Sequence, residues 1–420
     1  MLYDLGFLIF SVFYLPTLIF KGKLHKDFGE RFGAYSDAKR SALKAGRDII
    51  WIQAVSVGEV ALCKSLMPAL REAFPESAIV FSTITKTGND LARKLFSKEA
   101  VIIYFPLDFS FIVKKVVALI RPKIYVMIET EIWPNLLNAL SAAGVRTILI
   151  NGRISDRSFG KYELVKFFLK GVLRKVGAFC MQSEIDARRI MALGAPKDKV
   201  RVTGTMKFDV NTVSDASGEA MRSLLGLGKG EELIVAGSTH KGEEGAVLAA
   251  YKRLAAEIPN LRLLIAPRHI ERAGEVEREV KNAGLAPMRV SKLRILGSRL
   301  PARVYILDTI GQLSEAFSVA TLVFIGGSLI KHGGQNPLEP AAFGKPVLFG
   351  PYMFNFRSIV DVLLSNDAAV QIKEGEGLFE AISPLLKDRN RMKDLGWNAK
   401  RALTANRGAT LCNIEAIRKL

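Results

Sequence analysis

The sequence predicts an α/β protein of two doubly wound halves, each a parallel sheet with helices on both faces. Short β-branched runs alternate with segments whose apolar residues recur every three to four positions, a pattern typical of parallel sheets covered by helices. The series begins after residue 48, is interrupted by the polar, Gly-rich stretch 209–230, and then begins again. A chain of 420 residues, 49% of them hydrophobic, is long enough to bury two such cores.

The expected strands and helices follow from these runs. In the first half we expect strands at Ile49–Ile52, Ile79–Ser82, Val101–Tyr104, Ile124–Ile128, Thr147–Ile150 and Ala178–Gln182. In the second half we expect strands at Leu233–Ala236, Leu261–Ile265, Val304–Leu307, Leu322–Ile325, Pro346–Phe349 and Ala368–Gln371. Segments such as Val60–Phe74 and Thr87–Phe96 have helical spacing, and Asn390–Leu420 reads as a long basic helical tail. Two halves of this kind facing each other would hold a ligand between the carboxyl ends of their strands.

The charge balance indicates an acidic partner. There are 60 Lys and Arg against 41 Asp and Glu, a net charge of +19, which suits nucleic acid, a phosphorylated substrate or an anionic membrane face. No motif or stacking platform for nucleic acid occurs, so a nucleic-acid partner is not predicted. The sequence has no Asp-x-Asp, its few cysteines are scattered and its histidines lack local pairing, so no metal site is predicted.

The N-terminus predicts contact with a membrane. Leu5–Phe20 carries no charge and is rich in Phe, Leu and Ile, and Lys21, Lys23 and Lys26 follow at once. The run is shorter than the roughly 20 residues of a spanning helix, and Pro16 interrupts it. It is either a marginal uncleaved anchor or a helix in the interface; a buried N-terminal helix is the alternative. Its basic flank predicts that the rest of the chain is cytoplasmic.

A second candidate for membrane contact is Lys161–Lys175. Five basic residues and a single Glu163 are interleaved there with Phe and Leu, as in a basic amphipathic helix that rests on anionic headgroups. The alternative is an ordinary surface helix whose apolar stripe joins the core.

Carboxylates follow two predicted strands of the first half. Ser56-Val57-Gly58-Glu59 follows the first strand, and its spacing predicts a capping box, in which Glu59 binds backbone at the helix start. Glu59 could also serve as a general base at the edge of a cleft. Glu129 and Glu131 end the fourth strand, just before Trp133-Pro134. Two acids and an aromatic residue at a strand end favour a functional site, in which one carboxylate raises the pKa of another.

The second half carries loops suited to phosphate. Arg268 ends a predicted strand, where its guanidinium could hold a phosphate or form a surface ion pair. Gly326-Gly327-Ser328 and Gly333-Gly334 leave backbone N–H groups that could cradle a phosphate. Asn336, followed by Pro337 and Glu339, predicts the start of a helix, and Glu339 could instead bind ribose hydroxyls.

Taken in order, these motifs resemble the family of 3-deoxy-D-manno-octulosonic acid (Kdo) transferases, glycosyltransferase family 30. The motifs that carry the resemblance are Ser56–Glu59, Glu129-Thr130-Glu131-Ile132-Trp133-Pro134-Asn135, Asn151–Ser155, Thr203-Gly204-Thr205-Met206-Lys207-Phe208-Asp209, Pro267-Arg268-His269, Gly326–Leu329 and Asn336-Pro337-Leu338-Glu339. Each motif is weak alone, but the ordered set spans essentially the whole chain and is specific.

The resemblance implies a GT-B fold, two Rossmann-like domains facing a central cleft, and transfer of Kdo from CMP-Kdo to the lipid A precursor (lipid IVA) at the cytoplasmic face of the inner membrane. It implies that Glu59 is the general base and that Glu129 and Lys207 stabilise the transition state. The residues that it implies for CMP-Kdo are Ser56, Gly58, Pro267, Arg268, His269, Ile310, Gly311, Gln312, Gly326, Gly327, Ser328, Asn336, Pro337, Leu338 and Glu339. The implied reaction is a single displacement that inverts the configuration of the anomeric carbon and needs no metal. No cofactor is expected, since CMP-Kdo counts as a co-substrate.

We expect the chain to divide into four parts. Residues 1–22 would be the membrane anchor, 23–210 the acceptor-binding domain, 211–395 the CMP-Kdo-binding domain, and 396–420 a C-terminal helix that could pack back on the first domain. The sequence departs from the family pattern where Gln53 and Gln335 stand at usual His positions and Ile310-Gly311-Gln312 replaces Met-Gly-Glu. The alternative functions are another GT-B enzyme that uses a UDP-sugar, such as a lipid-linked transferase or an epimerase, and a basic membrane-associated scaffold.

Overall fold

A computed structural model describes residues 3–8, 27–45, 48–209, 214–296, 302–373 and 377–420. The chain forms two compact units. The first comprises Met1–Asp209 together with Arg407–Leu420, and the second comprises Val210–Asn406.

In the part of the first unit that the structure describes there are seven strands, and residues 3–8 are helical. The strands are β1 (Ile50–Gln53), β2 (Ile79–Thr83), β3 (Ala100–Tyr104), β4 (Ile124–Ile128), β5 (Arg146–Gly152), β6 (Ala178–Met181) and β7 (Val200–Val202). The α-helices are α1 (Asp37–Ala45), α2 (Val57–Ala73), α3 (Lys86–Phe96), α4 (Ser110–Ile120), α5 (Pro134–Ala142), α6 (Asp156–Glu163), α7 (Lys166–Leu173) and α8 (Glu184–Ala192). Short 3-10 turns occur at Phe28–Phe32, Lys197–Lys199 and Met206–Phe208.

The seven strands form one parallel sheet in the order β3-β2-β1-β4-β5-β6-β7. Successive strand residues point to opposite faces, and both faces are covered. Trp51 belongs to one core cluster, and its neighbours Ile50 and Ile52 belong to the other. Burial on both faces explains why the strands read as continuous apolar runs rather than as alternating ones.

The second unit repeats this plan. Its strands are β8 (Glu232–Thr239), β9 (Leu261–Pro267), β10 (Pro287–Arg289), β11 (Val304–Ile306), β12 (Leu322–Ile325), β13 (Val347–Phe349) and β14 (Val370–Gln371). Its α-helices are α9 (Asp215–Leu224), α10 (Glu244–Glu257), α11 (Ala273–Asn282), α12 (Val290–Leu296), α13 (Leu313–Val319), α14 (Leu338–Ala342), α15 (Arg357–Ser365), α16 (Leu378–Lys387) and α17 (Arg389–Ala405). The strands again form one parallel sheet, in the order β10-β11-β9-β8-β12-β13-β14.

The linker was predicted wrongly, and two edge strands were missed. The stretch expected to be a linker contains helix α9, because Met221 in its last turn and Leu225 directly after it are buried in the second unit. Strands β7 and β10 were missed; each has three residues, lies at the end of its sheet and is only partly buried. Short edge strands of this kind lack the apolar run that marks a central strand.

The basic tail is two helices rather than one. Helix α17 ends at Ala405, Gly408 takes a left-handed backbone angle of φ 106°, and a final helix, α18 (Ala409–Arg418), follows. The expected boundary between residues 395 and 396 therefore falls inside α17. Asp209, the last residue of the first segment of the first unit, accepts hydrogen bonds from the backbone N–H groups of Gly408 (2.8 Å) and Thr410 (2.7 Å). The carboxylate thus holds the start of α18 on the first unit.

The segment Lys161–Lys175 is also two helices, α6 and α7, with a break at Leu164 and Val165. Its apolar residues divide: Leu169 and Leu173 are buried in the core, whereas Leu164 is 87% exposed and Phe167 99% exposed. Most of the apolar N-terminal run lies outside the described residues. Within the described ranges, no helix combines the length and the apolar composition needed to cross a membrane.

Candidate functional site

The first sheet has a topological switch point between β1 and β4. Strands β2 and β3 continue the sheet on one side of β1, and β4 to β7 continue it on the other. Ligands of doubly wound sheets bind beyond the carboxyl ends of the strands at such a point. Glu59 follows β1, Glu129 and Glu131 follow β4, and Gln53, the last residue of β1, is paired with Met127, one residue before the end of β4. The topology therefore brings the predicted acidic residues to one place.

Glu59 is a buried carboxylate in the first turn of α2. Its Oε2 accepts a hydrogen bond from the backbone N–H of Val55 (2.6 Å), and its Oε1 accepts one from the hydroxyl of Ser56 (2.9 Å). The predicted capping box is not formed: Ser56 donates to Glu59 and caps no backbone N–H of the helix, and Glu59 binds the N–H of Val55 rather than that of Ser56. Burial, above all, raises the pKa of Glu59 to about 7; Glu129 and Glu131 raise it further, and the Val55 and Ser56 hydrogen bonds oppose the rise.

Glu129 and Glu131 lie on a strained turn after β4. Glu129 has φ 60°, in the left-handed region that a residue with a side chain rarely adopts, and its N–H is fixed by the carbonyl oxygen of Ile150 (3.0 Å). Burial raises the pKa of Glu131 to about 7, the charge of Glu129 adds to the rise, and the Trp133 side chain opposes it. Three carboxylates are thus held close enough to influence one another.

Lys207 is brought to the same group by β5. Asn151 at the end of β5 has φ 53°, is fully buried and accepts a hydrogen bond from the N–H of Met206 (3.0 Å), which holds the 3-10 turn Met206–Phe208. Burial lowers the pKa of Lys207, the charge of Glu129 opposes that change, and Arg153 adds to it. The lysine is therefore a half-buried cation beside Glu129 rather than a fully solvent-exposed one.

This arrangement suits the removal of a proton from a hydroxyl group. A general base works best when its pKa lies near the operating pH, and Glu59 meets that condition through burial and neighbouring carboxylates. Gly58 is exposed beside Glu59, and the nearest protein atom to the position of a Cβ there, the Ser56 hydroxyl, is 3.8 Å away. Packing within the protein does not demand a glycine at this position, which agrees with close approach of a ligand.

Gln53, which stands at a usual His position, belongs to the core instead. It is fully buried, and its Oε1 accepts a hydrogen bond from the hydroxyl of Tyr125. Among the described residues its Nε2 has no hydrogen-bond partner.

The second sheet has its own switch point, between β8 and β12. The loops at this edge carry most of the residues predicted to bind the donor. Pro267 ends β9 and is buried, whereas Arg268 and His269 follow it and are exposed. The backbone N–H of Arg268 binds the carbonyl oxygen of Thr239 (2.9 Å), which ties the ends of β9 and β8 together. No carboxylate among the described residues lies within ion-pair distance of Arg268, so the guanidinium is available to an anion.

The expected phosphate cradle at Gly326-Gly327-Ser328 is occupied by a side chain of the protein. Glu243 is fully buried, and its carboxylate accepts hydrogen bonds from the N–H groups of Gly327 (2.6 Å), Ser328 (3.0 Å) and Leu329 (3.0 Å). It also accepts one from the N–H of His240 (2.9 Å). The nest of amide groups exists as predicted, but it binds this internal carboxylate, so these amide groups are not free as expected.

The remaining predicted donor residues are divided between surface and core. Ile310 and Gly311 are exposed, whereas Gln312 is buried and accepts a hydrogen bond from the Thr309 hydroxyl. The side chain of Asn336 accepts a hydrogen bond from the N–H of Leu338 (3.1 Å), and α14 begins at Leu338, one residue later than predicted. Pro337 and Leu338 are buried, and Glu339 is half-buried at the first turn of α14.

Two histidines of this edge were missed by sequence reasoning. His240 follows β8 and His332 follows β12, and their rings lie 3.9 Å apart, centroid to centroid. They are 92 positions apart in the sequence, so no local pattern pairs them. Among the described residues, no three His, Cys, Asp or Glu side chains are grouped so that they could hold a metal ion.

The fold and these two strand edges define the class of protein. A glycosyltransferase from Rickettsia africae ESF-5 is similar in structure, with a TM-score of 0.59 and 12% identity, over 89% of this chain and 98% of that one. The UDP-GlcNAc 2-epimerase of Neisseria meningitidis gives a TM-score of 0.61 and 11% identity, over 89% of this chain and 100% of that one. At these identities the likeness shows the fold, which is of the GT-B type.

Sequence comparison identifies the family. Residues 26–210 match the family model of 3-deoxy-D-manno-octulosonic-acid transferase (kdotransferase). The 3-deoxy-D-manno-octulosonic acid transferase of Haemophilus influenzae is 34% identical over 382 residues, which are 90% of this chain and 88% of that protein. The chain therefore belongs to the Kdo transferase family, and it is a glycosyltransferase.

Proposed function

We propose that this chain transfers Kdo from CMP-Kdo to the lipid A precursor, lipid IVA, in lipopolysaccharide biosynthesis. The observation that carries the proposal is Glu59, a buried carboxylate with a pKa raised to about 7, at the switch point of a sheet in a member of the Kdo transferase family. The proposed reaction is a single displacement that inverts the sugar and uses no metal ion.

In the proposed step, Glu59 accepts the proton of the acceptor hydroxyl. The oxygen of that hydroxyl forms a bond to the anomeric carbon of Kdo as the bond between this carbon and the phosphate oxygen breaks. The electron pair of the broken bond leaves with CMP. With a pKa near 7, a useful fraction of Glu59 is ionised at neutral pH, and the carboxylate is more basic than one in water.

The other residues supply charge around this step. Lys207, half-buried beside Glu129, is the cation proposed to stabilise the transition state together with that carboxylate. Arg268, exposed at the end of β9 and without a carboxylate partner among the described residues, is proposed to hold the donor phosphate. The loops of Ile310–Gln312 and Asn336–Glu339 are proposed to contact the rest of CMP-Kdo.

We place the enzyme at the cytoplasmic face of the inner membrane, through a surface of the first unit. Its apolar part, called here the aromatic surface, consists of exposed Leu5, Leu8, Phe111, Leu164 and Phe167 with the half-exposed Phe168. Ring contacts join its parts: Tyr3 stacks on Phe168 at 5.8 Å, and Phe7 lies against Phe109 at 5.0 Å. Exposed apolar groups this numerous are unusual on a protein that meets only water.

Along α6 and α7, exposed basic residues alternate with the apolar residues of the aromatic surface. Lys161, Lys166 and Lys170 are exposed there, among the side chains of Leu164 and Phe167. Apolar groups flanked by lysines suit a bilayer of anionic lipids, where each lysine near the surface contributes about 1 kcal/mol. The helix of residues 3–8 packs on α7, so the described start of the chain belongs to the same surface.

The identity of the donor tests the proposal directly. Purified full-length protein is incubated in detergent with lipid IVA and either CMP-Kdo or UDP-N-acetylglucosamine. The mass of the lipid product is then measured by mass spectrometry. We expect mass increments of Kdo with CMP-Kdo only, and the increments also count the sugars added. Transfer from the UDP-sugar, or none from CMP-Kdo by protein that binds CMP, would contradict the proposed donor.

A further inference from the structure

Three imidazole rings converge at the switch point of the second sheet. His240 follows β8, His269 follows β9 and His332 follows β12. The ring centroid of His240 lies 3.9 Å from that of His332 and 5.9 Å from that of His269. His240 is buried, whereas His269 and His332 are exposed, so the group opens toward solvent where a doubly wound sheet binds its ligand.

The structure holds these rings in place through the backbone. The N–H of His240 is bound by the carboxylate of Glu243 (2.9 Å), and the N–H of Arg268, next to His269, is bound by the carbonyl oxygen of Thr239 (2.9 Å). The side-chain amide nitrogen of Gln335 lies 3.2 Å from Nε2 of His240. An amide NH₂ group can only donate, so in the neutral ring Nε2 of His240 accepts and the proton is on Nδ1. When Nε2 takes up a proton, the Gln335 amide must turn so that its oxygen accepts from the ring.

The charges around His240 favour its neutral form in the free protein. His332, His269, Arg268 and Arg272 all face it with positive or potentially positive groups. The nearby carboxylates are already bound. Glu243 accepts hydrogen bonds from four backbone N–H groups. Oε1 of Glu244 accepts hydrogen bonds from Arg272 and Thr239, whereas its Oε2 has no hydrogen-bond partner among the described residues. Burial first, and these cations second, lower the pKa of His240 to about 4.

Repulsion between like charges also limits the protonation of His240 and His332. Two imidazole rings 3.9 Å apart cannot both be protonated at neutral pH without strong repulsion. A bound anion reverses this balance, because it attracts the proton that the neighbouring cations repel. A protonated ring in this group is therefore stabilised only when an anion binds beside it.

We propose that His240 and His332 take up one shared proton when the phosphate of a nucleotide binds at this edge, and that they hold it beside that phosphate during the reaction. The identification of the nucleotide as CMP rests on the proposed function. During transfer, the phosphate gains a second negative charge as its oxygen leaves the anomeric carbon. The imidazolium and Arg268 offset that charge, while the acceptor proton goes to Glu59, so that atoms and charge balance.

Proton uptake is measured on the full-length protein with CMP as the probe. Calorimetric titrations at pH 7.5, in buffers with different enthalpies of ionisation, give the number of protons bound per CMP. We expect uptake of up to about one proton, and CMP affinity that rises up to about tenfold per pH unit as the pH falls toward 6. CMP itself is partly protonated in this range. The same titrations are therefore made on His240→Gln and His332→Gln, in which CMP contributes the same number of protons as in the wild type.

We expect each variant to bind CMP more weakly and to lose most of the proton uptake. His25→Gln, which replaces the one histidine of the sequence that is not among these three, is the matched control and should keep the proton uptake. A second measurement does not depend on the variants folding normally. In protein labelled with ¹³C at histidine Cε1, which gives four signals, CMP is expected to move two of them toward the imidazolium shift.

Binding of CMP without proton uptake, or equal uptake in the wild type and both variants, would overturn the proposal. A failure of the proposed function gives a different result. If UDP binds and CMP does not, the donor is wrong, and proton uptake with UDP still supports the role of the histidines. If Kdo transfer is observed but nucleotide binds without proton uptake, the proposed function stands and the role of the histidines falls.

Discussion

Replacing Ser56 by alanine tests how the protein sets the basicity of Glu59. The hydroxyl of Ser56 donates a 2.9 Å hydrogen bond to Oε1 of Glu59, and this bond favours the ionised carboxylate and lowers its pKa. Ser56 caps no backbone N–H of α2, so its removal leaves the start of that helix intact. Ser56→Ala should therefore raise the pKa of Glu59 with little change in fold.

The size of the effect follows from the burial of the pair. A hydrogen bond to a charged group contributes about 1.5 kcal/mol, and a change of about 1.4 kcal/mol moves a titration by one pH unit. Glu59 is 8% exposed, so little water can replace the lost hydroxyl. We expect the acid limb of the pH–rate profile to move up by about one pH unit.

The assay is kcat/KM for transfer from CMP-Kdo, measured from pH 5 to pH 9, because this parameter reports ionisations of the free enzyme. We expect Ser56→Ala to be about tenfold slower than the wild type at pH 6 and nearly equal at pH 9. Ser56→Thr, which keeps a hydroxyl, is the matched control and should leave the limb in place. An acid limb that stays at the same pH in Ser56→Ala, or moves to lower pH, would show that the Ser56 hydroxyl does not lower the pKa of Glu59.

Three further predictions concern stability and membrane binding. The pKa of Glu131 in the folded protein is raised to about 7, so its ionisation costs stability above pH 7, and this cost is absent below the unfolded value of 4.5. Glu131→Gln should therefore raise the free energy of unfolding at pH 8 by about 1–3 kcal/mol and change it little at pH 4.5, as measured with urea. Asp209→Ala removes both acceptors for the start of α18 and should cost about 1–2 kcal/mol, with a smaller loss in Asp209→Asn; equal stability would show that the cap does not hold α18. Phe167→Ser should reduce co-sedimentation with anionic vesicles without lowering Tm, because Phe167 is 99% exposed; unchanged vesicle binding would remove it from the membrane surface.

The central strands could be predicted from the sequence because they are buried on both faces. Strands β4 and β12 occur at the expected residues, since continuous apolar runs between turn signals have few other structures open to them. Edge strands β7 and β10 are partly exposed and carry no such run. The breaks at Leu164–Val165 and before α18 were missed because helical spacing continues across both.

The candidate site, too, could be predicted from the sequence only in part. Strand ends can be located in a sequence, so the carboxylates after β1 and β4 could be assigned to one edge before the structure was known. The occupant of the Gly327–Leu329 amides could not, because Glu243 lies 84 positions away and only the tertiary fold brings it there. The raised pKa of Glu59 depends on burial, and the histidine group is assembled from three separate loops. Neither has a local signature.

The most direct test of the account is a single-turnover comparison of Glu59→Gln with the wild type. Glutamine can still accept the hydrogen bond from Val55, but it cannot accept a proton from the acceptor hydroxyl. With enzyme in excess over CMP-Kdo and lipid IVA, the account predicts that the variant binds CMP with unchanged affinity and transfers Kdo at least about a hundredfold more slowly. Transfer at the wild-type rate would contradict it, and Glu59 would then be only the residue that secures the start of α2.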